Sequence, residues 1–506
     1  MSGGVFPRTI LRIAQIGFVK QLSDISFLRR MVLRKTLSCN RPQRPSRNEP
    51  YLRNRHQVEI LQDDQPLNPY TEIQILHDHT DLIKFLLPIS ENKFLSASDD
   101  NTGIIWDVTT SLKLCTLVGH TRPISCASLL RPPVDDGSRE VEMSHYLLVT
   151  GSSDRSMRVW STENGACLQI ITEHNATTKA ILSFSNNGLF CTGGQDLFLW
   201  NSDGRLLHSI NQEAEDKSAC PLADIKHMLA VCDDRFVVAA GSALEVYGIE
   251  EQIGQLGDTS FQMKRVKKLV PQHREAVMCL TRISDSYFAS ASLDGTVKLW
   301  NSHTLTTSRQ LNHISEYEKN GFPWCVQHMI PLDMKHLCIT IGSGLAIFDV
   351  VTGDCLWKKA HAHFSKITFI SVINNGRFLA TCSEDGTIRL WGVDPRIRGG
   401  SEDGNIAAKD FTMHKFTDIV QASHQRNPKE VRRLFRREES RPPILCLQGE
   451  CVAHSGAVQM IIDFRLDGMA SCGVDGLVIL WKDGELENAK RSDLIREMLQ
   501  AKNGLF

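Results

Sequence analysis

Five stretches of this 506-residue chain carry a histidine, a hydroxyl residue, an aspartate and a tryptophan in that order. They are His79, Ser96, Asp100 and Trp106; His120, Thr150, Asp154 and Trp160; His273, Ser290, Asp294 and Trp300; His363, Thr381, Asp385 and Trp391; and His454, Ser471, Asp475 and Trp481. The hydroxyl always precedes the aspartate by four residues, and the aspartate precedes the tryptophan by six. A sixth set, His174, Thr192, Asp196 and Trp200, has its tryptophan two residues early. Hydroxyl, imidazole and carboxylate are the ingredients of nucleophilic hydrolysis. Repetition argues against that chemistry, because an enzyme needs one such centre and this chain has five complete ones. The same groups can also hydrogen-bond in series, so that none is buried unpaired. Catalysis at these tetrads is therefore not expected, and the catalytic set is empty.

The elements that hold each set are short strands. The phrases "SASDDNTGIIW", "TGSSDRSMRVW", "SASLDGTVKLW", "TCSEDGTIRLW" and "SCGVDGLVILW" each place a tight turn between two apolar runs. Asp-Gly and Asp-Asn suit such a turn because Gly and Asn tolerate left-handed backbone angles. The His-to-Asp separation is 21 or 22 residues in four copies and 34 in the second, where "RPPVDDGSREVEMS" reads as an inserted loop. Two further units, "LADIKHMLAVCDDRFVVAAGSALEVYGIE" and "WCVQHMIPLDMKHLCITIGSGLAIFDVVTGDCLW", keep the strand pattern and lose the tetrad. The gaps of 99 residues from His174 to His273 and 90 from His273 to His363 each hold two units, which gives eight in all. After Trp481 the chain turns charged and helical, so the last unit lacks a strand. "YTEIQIL", residues 70–76, is the spare strand expected to complete it and close the ring, with Ile73 and Ile75 on it.

Composition narrows the class. The formal charge is −1, but residues 1–55 hold twelve Lys or Arg against Asp24 and Glu49, so the remainder is acidic. Fifteen cysteines without a C-x-x-C pair, mostly in apolar runs, fit a reducing compartment and packing as small hydrophobes. No apolar run is long enough to span a membrane, and Arg8 and Arg12 interrupt any signal-peptide core. No nucleotide loop, metal-ligand cluster or paired-carboxylate pocket stands out, so neither cofactor nor metal is expected. The basic segments lack interleaved aromatics, and no nucleic-acid partner is expected.

The domain plan follows. Residues 1–65 form a basic, disordered extension, for which an Arg-rich helix over 8–35 of the transit-peptide type is the competing reading. Residues 66–485 hold the repeats, interrupted in the penultimate unit by a flexible insertion at 394–444. Residues 486–506 form a helix capped by Ser492 and ended by Gly504, with Leu494, Ile495, Met498 and Leu499 on one face. That face either docks on the repeats or is offered to a partner.

The spaced tetrads resemble the WD-repeat family, whose fold is a β-propeller of four-stranded blades. The resemblance implies an all-β, eight-bladed propeller closed by an N-terminal strand, with a short C-terminal helix. A closer resemblance, to an eight-unit branch of that family, is carried by "NPYTEIQILHDHTDLIKFL" (68–86), "GGQDLFLWN" (193–201), "CSEDGTIRLW" (382–391) and "AHSGAVQMIIDFRLDGMASCGVDGLVILWKDGE" (453–485). It implies a non-catalytic adaptor that assembles with two longin/DENN-domain proteins, the Smith–Magenis syndrome chromosome region candidate 8 protein and the chromosome 9 open reading frame 72 protein. It further implies work in autophagy and lysosomal amino-acid signalling, support of small-GTPase regulation by the partners, and a cytoplasmic protein recruited to the lysosomal surface through a lysosomal cationic amino-acid transporter. By analogy the partner-facing elements are the strand 70–76 and the helix around 492–500, and the lysosomal contact falls in 394–444. The alternative is a substrate receptor of a cullin ubiquitin ligase, against which Trp106 is followed by "DVTT" and no repeat supplies a Trp-Asp-x-Arg.

Overall fold

Strands of four to eight residues, apart from one long hairpin, make up almost the whole fold of the computed structural model. The structure describes residues 68–130, 146–184, 188–210, 224–232, 234–253, 259–311, 326–393 and 445–503. The basic extension, the inserted loop of the second unit and the insertion 394–444 lie outside the described residues. The strands pair into eight antiparallel sheets of four, and seven of these take their strands consecutively from the chain. Blades 1 to 7 span residues 83–117, 124–171, 180–210, 225–268, 277–311, 326–359 and 367–452. The segment 394–444 enters blade 7 between its third and fourth strands.

Blade 8 is built from both ends of the chain. Its inner three strands are Val458–Asp463, Met469–Gly473 and Val478–Asp483, and its outer strand is Tyr70–Leu76. Ile73 lies opposite Trp481 and Ile75 opposite Ile479. The ring is therefore closed by an N-terminal strand, and closure removes the open ends that a row of blades would otherwise present.

The core is not central. It lies between blades, as eight clusters, one at each interface. Blades 1 and 2 share Leu95, Ile105, Leu148 and Trp160; blades 6 and 7 share Cys338, Ile347, Ile367 and Trp391. Blades 8 and 1 share Leu76, Ile83, Phe94 and Leu480, so the closing interface is packed like the others. Burying each such side chain contributes about 1.5 to 3 kcal/mol, and no blade can do so alone. The buried cysteines belong to these interfaces. All twelve cysteines in the described residues are free, and burial pushes the Cys338 and Cys451 thiols up to about 12.

The turns after each aspartate need the left-handed region. Asn101 has φ 70°, Gly295 75°, Gly386 83° and Gly476 73°. Arg155 takes the same role at φ 70°, a strained choice for a side chain with a Cβ.

The C-terminal helix differs from expectation. It runs Gly484–Asn503 and starts directly from the last strand rather than at Ser492. Asp483 Oδ1 accepts the N–H groups of Glu485 at 3.0 Å and Leu486 at 3.2 Å, which caps the helix nine residues earlier. Ser492 sits inside the helix, and its hydroxyl donates back to the Asn488 carbonyl at 2.9 Å. The helix thus begins at 484 rather than 486, and Gly504 lies outside the described residues.

Candidate partner-binding surface

Each tetrad occupies one end of its blade. In blade 1 the Trp106 indole N–H donates to Ser96 Oγ at 2.8 Å. The same hydroxyl meets His79 Nε2 at 2.8 Å, and His79 Nδ1 meets Asp100 at 2.8 Å. Asp100 also accepts the Thr80 backbone N–H at 3.1 Å. The chain of bonds therefore ties the loop entering a blade to the turn between its second and third strands. Blade 2 repeats it through Trp160, Thr150, His120 and Asp154, blade 7 through Trp391, Thr381, His363 and Asp385, and blade 8 through Trp481, Ser471, His454 and Asp475.

Two copies vary. In blade 5 the chain runs Trp300, Ser290, His273, but His273 Nδ1 meets Thr296 at 2.8 Å while Asp294 stands at 3.8 Å. In blade 3 Trp200 still reaches Thr192 at 2.8 Å across the shortened turn, and Thr192 meets His174 at 3.2 Å. Burial alone lowers His174 to about 4, with no contribution from Asp196. In blades 2 and 7 burial also lowers His120 and His363, and the partner aspartates push back. Burial works against the charge of Asp154 and Asp385, yet hydrogen bonds from Ser156 and from His363 hold both below the usual carboxylate range.

This geometry decides against the hydrolase reading of the tetrads. Ser96, Thr150, Thr192, Ser290, Thr381 and Ser471 are all fully buried. Each hydroxyl oxygen already accepts an indole N–H, so it has neither access to a substrate nor a free lone pair aimed outward. Among the described residues, no group of His, Cys, Asp and Glu is arranged to hold a metal ion.

The two units without a tetrad solve the same packing problem differently, and the sequence did not reveal how. In blade 4 Tyr247 takes the tryptophan position, stacked on Phe236 at 5.9 Å as Trp300 stacks on Phe288 at 6.4 Å. Its hydroxyl donates to the buried Glu245 at 2.8 Å. The only signal was a Tyr two residues after a Glu in an apolar strand. In blade 6 the equivalent positions are Ile339 and Phe348, and nothing polar remains to satisfy.

With the tetrads inside, the surface carries the function. The elements singled out for partners come together at blade 8. Gly484 N–H donates to Pro69 O at 3.3 Å, and a Cβ at Gly484 would lie 2.0 Å from Thr71 Oγ1, so any larger residue would displace that hydroxyl. About two turns later Arg491 forks onto both Glu72 oxygens at 2.6 Å, and Lys490 meets Asp467 and Glu487 at 3.0 Å. Among the described side chains, the ion pair to Glu72 ties the helix to the closing strand, and the one to Asp467 ties it to a turn of blade 8. Its described apolar residue past this point, Ile495, is 57% exposed, and Ile73 on the strand is 37% exposed, while Ile75 is half-buried. The side chains of Leu494, Met498 and Leu499 lie outside the described residues.

Comparison with known proteins places this architecture. A computationally designed protein, Ika8, matches 80% of this chain and 97% of its own with a TM-score of 0.52 at 19% identity, which speaks to the fold alone. WD repeat-containing protein 41 of Mus musculus is 27% identical over 462 residues, covering 89% of this chain and 95% of its own. The Homo sapiens protein of the same name is 25% identical over 467 residues with the same coverage. The family model of the WDR41 β-propeller matches residues 43–491, so it begins within the stretch that the sequence alone assigns to the basic extension. With eight blades, a closing N-terminal strand and a family match across most of its length, this chain belongs to the WDR41 β-propeller family of WD-repeat scaffolds.

Proposed function

We propose that this chain is the non-catalytic adaptor subunit of a DENN-domain complex. The complex acts in autophagy and lysosomal amino-acid signalling, and its small-GTPase chemistry belongs to the partners, the Smith–Magenis syndrome chromosome region candidate 8 protein and the chromosome 9 open reading frame 72 protein. The adaptor stays in the cytoplasm and brings the complex to the lysosomal surface through a lysosomal cationic amino-acid transporter. The observation that supports this reading best is the family match over residues 43–491. The surface agrees with it. Ile495 on the helix is 57% exposed and Ile73 on the closing strand is 37% exposed, so each has apolar surface that a partner could cover.

The test is a tagged pull-down of the full chain from fed and amino-acid-starved cells, quantified by mass spectrometry. The two DENN-domain proteins are expected in near-stoichiometric amounts. Removal of residues 489–506, or Ile495→Asp with Ile73→Asp, is expected to abolish their recovery while the propeller still melts cooperatively. Recovery of cullin-ligase subunits without either DENN-domain protein overturns the proposal.

A further inference from the structure

The outer strands of the blades form the rim of the propeller, and blade 4 differs from every other there. Its third and fourth strands, Ala243–Ile253 and Thr259–Lys268, are eleven and ten residues long, whereas the other outer strands have five to eight. In blade 5 the hairpin turns immediately after Trp300, which pairs with Thr307. In blade 4 it continues past Tyr247, the equivalent residue, through Gly248–Lys264 to Ile253–Thr259. At about 3.3 Å per residue the extension adds roughly 20 Å of strand.

The charge on this hairpin is segregated. The inner strand carries Glu245, Glu250 and Glu251, and the outer strand carries Lys264, Arg265, Lys267 and Lys268 with no acid. The pairing between them is loose. Lys264 lies 3.8 Å from Glu250, Arg265 lies 3.8 Å from Glu245, and Lys267 donates to the Thr304 carbonyl at 3.3 Å. Lys264, Arg265 and Lys268 are exposed, and Val266 among them is 48% exposed.

One face of this strand packs on the outer strand of blade 3 through Phe261 and Met263, and its backbone pairing is one-sided. It pairs only with the inner strand of its hairpin, and its outer edge carries no further strand among the described residues. The register is unbroken from Thr259 to Arg265, and the bulge comes only beyond it, at Val266. Such an edge offers alternate N–H and C=O groups to an added strand. Four cations on it repel a second copy of the same edge, which leaves a chain of opposite charge as the occupant.

We propose that the outer edge of blade 4, Ser260–Lys268, accepts an extended acidic segment of a partner protein as a fifth strand. Backbone pairing along Ser260–Arg265 supplies the register, and Lys264, Arg265, Lys267 and Lys268 select Asp or Glu at positions of the added strand. The site lies on a different blade from the closing strand of blade 8, so it serves a second contact and stands or falls independently of the adaptor assignment.

Fluorescence anisotropy of the full chain with a labelled peptide of about eight residues, alternating Glu and Val, tests it. A second peptide of the same charge but with prolines at alternate positions cannot pair along the edge. Saturable binding of the first peptide is expected, at least about tenfold tighter than the proline peptide. Raising salt from about 50 to about 200 mM is expected to weaken it several-fold. Lys264→Glu with Lys268→Glu is expected to weaken it at least about tenfold with an unchanged melting temperature. Should that variant unfold, Lys264→Gln with Lys268→Gln reads the same loss on a smaller scale. Equal binding of both peptides, binding indifferent to the variants, or no saturable binding overturns the proposal. Capture of the chain by phosphatidylserine vesicles, lost in the variants and without peptide binding, assigns the basic edge to a membrane surface instead.

Discussion

Blades 6 and 7 sit side by side and bury the same positions by opposite means. In blade 7 Trp391, Thr381, His363 and Asp385 form a polar chain inside the interface. In blade 6 Phe348 and Ile339 take the tryptophan and hydroxyl positions and need no partners. Both blades close, both have four strands, and both contribute to the cluster that holds Cys338, Ile347 and Trp391. A blade therefore does not require the tetrad to pack. What the tetrad adds is direction: it pins the entering loop, through the Phe364 N–H on Asp385 at 3.0 Å, to the turn of the same blade. Blade 4 is intermediate, with a Tyr247–Glu245 pair inside one strand and Arg265 of the next strand 3.8 Å from the same carboxylate.

Acid should weaken both kinds of blade, since burial also lowers His227 in blade 4 to about 4, and only His336 in blade 6 should respond the other way. His174 and His273 are lowered to about 4, first by burial. A histidine whose folded value lies below its unfolded one contributes stability that is complete above about 6.5 and is lost as pH falls toward the folded value, because the unfolded chain takes up the proton first. The depressed carboxylates Asp154 and Asp385 extend that loss at lower pH, contributing above about 3.9 and failing below it. Blade 6 adds one histidine of the opposite sign, His336, beside His328, which burial lowers to about 4. The hydrogen bond that His336 Nδ1–H donates to Asp333 at 2.6 Å raises His336, so its contribution is complete below about 6.5 and fades as pH rises through the folded value. Denaturant melts between pH 4 and 8 should show His174→Gln flattening the acid limb. His336→Gln should cost more stability at pH 6 than at pH 8. Equal costs at both pH values would mean that the Asp333 pairing does not favour protonated His336.

The hydroxyl position gives the next largest effect. Thr381→Val in blade 7 keeps the shape but leaves His363 and the Trp391 N–H without their shared partner, an expected loss of about 2 to 3 kcal/mol. Ile339→Val at the equivalent position of blade 6 removes one methylene and is expected to cost about 1 kcal/mol. Urea unfolding of both variants checks the ranking. Equal losses would mean that the polar chain adds nothing beyond volume.

The smallest effect lies outside the ring. Asp483→Ala removes the cap of the C-terminal helix and is expected to cost about 1 kcal/mol. That loss should appear as faster amide exchange over 485–495, with the propeller's own transition unchanged. A matching drop in the global transition would show that the helix is part of the ring's cooperative unit.

Much of this molecule was legible in the sequence. The tetrads were legible because each is a fixed spacing within one hairpin and its entering loop, so local chain geometry carries the information. The count of eight followed from the gaps, since a unit of about 45 residues leaves little freedom. The closing strand was legible because a last unit without a fourth strand and a first unit with one too many imply each other. Less was visible where partners are far apart in sequence or chemically unlike the repeat. The Tyr247–Glu245 pair has no counterpart in the other blades from which to recognise it. The start of the helix was hidden because Asp483 reads as the end of a strand and Ser492 as the better cap; only the folded register puts Asp483 over the N–H groups of 485 and 486.

By itself the sequence determined the architecture of this protein: short strands, turns that need Asn or Gly, and a clasp repeated at a set period. Those are interactions between residues separated by a few tens of positions, and the chain writes them out locally. The tertiary structure alone decided the surfaces. Only the closed ring lays Glu72 against Arg491, 419 residues apart, and so presents the helix beside the first strand. Only the register of blade 4 carries its hairpin past its neighbours and leaves Lys264, Arg265 and Lys268 exposed along its outer strand. Burial and charge segregation are properties of how blades meet, and no spacing within a single unit encodes them.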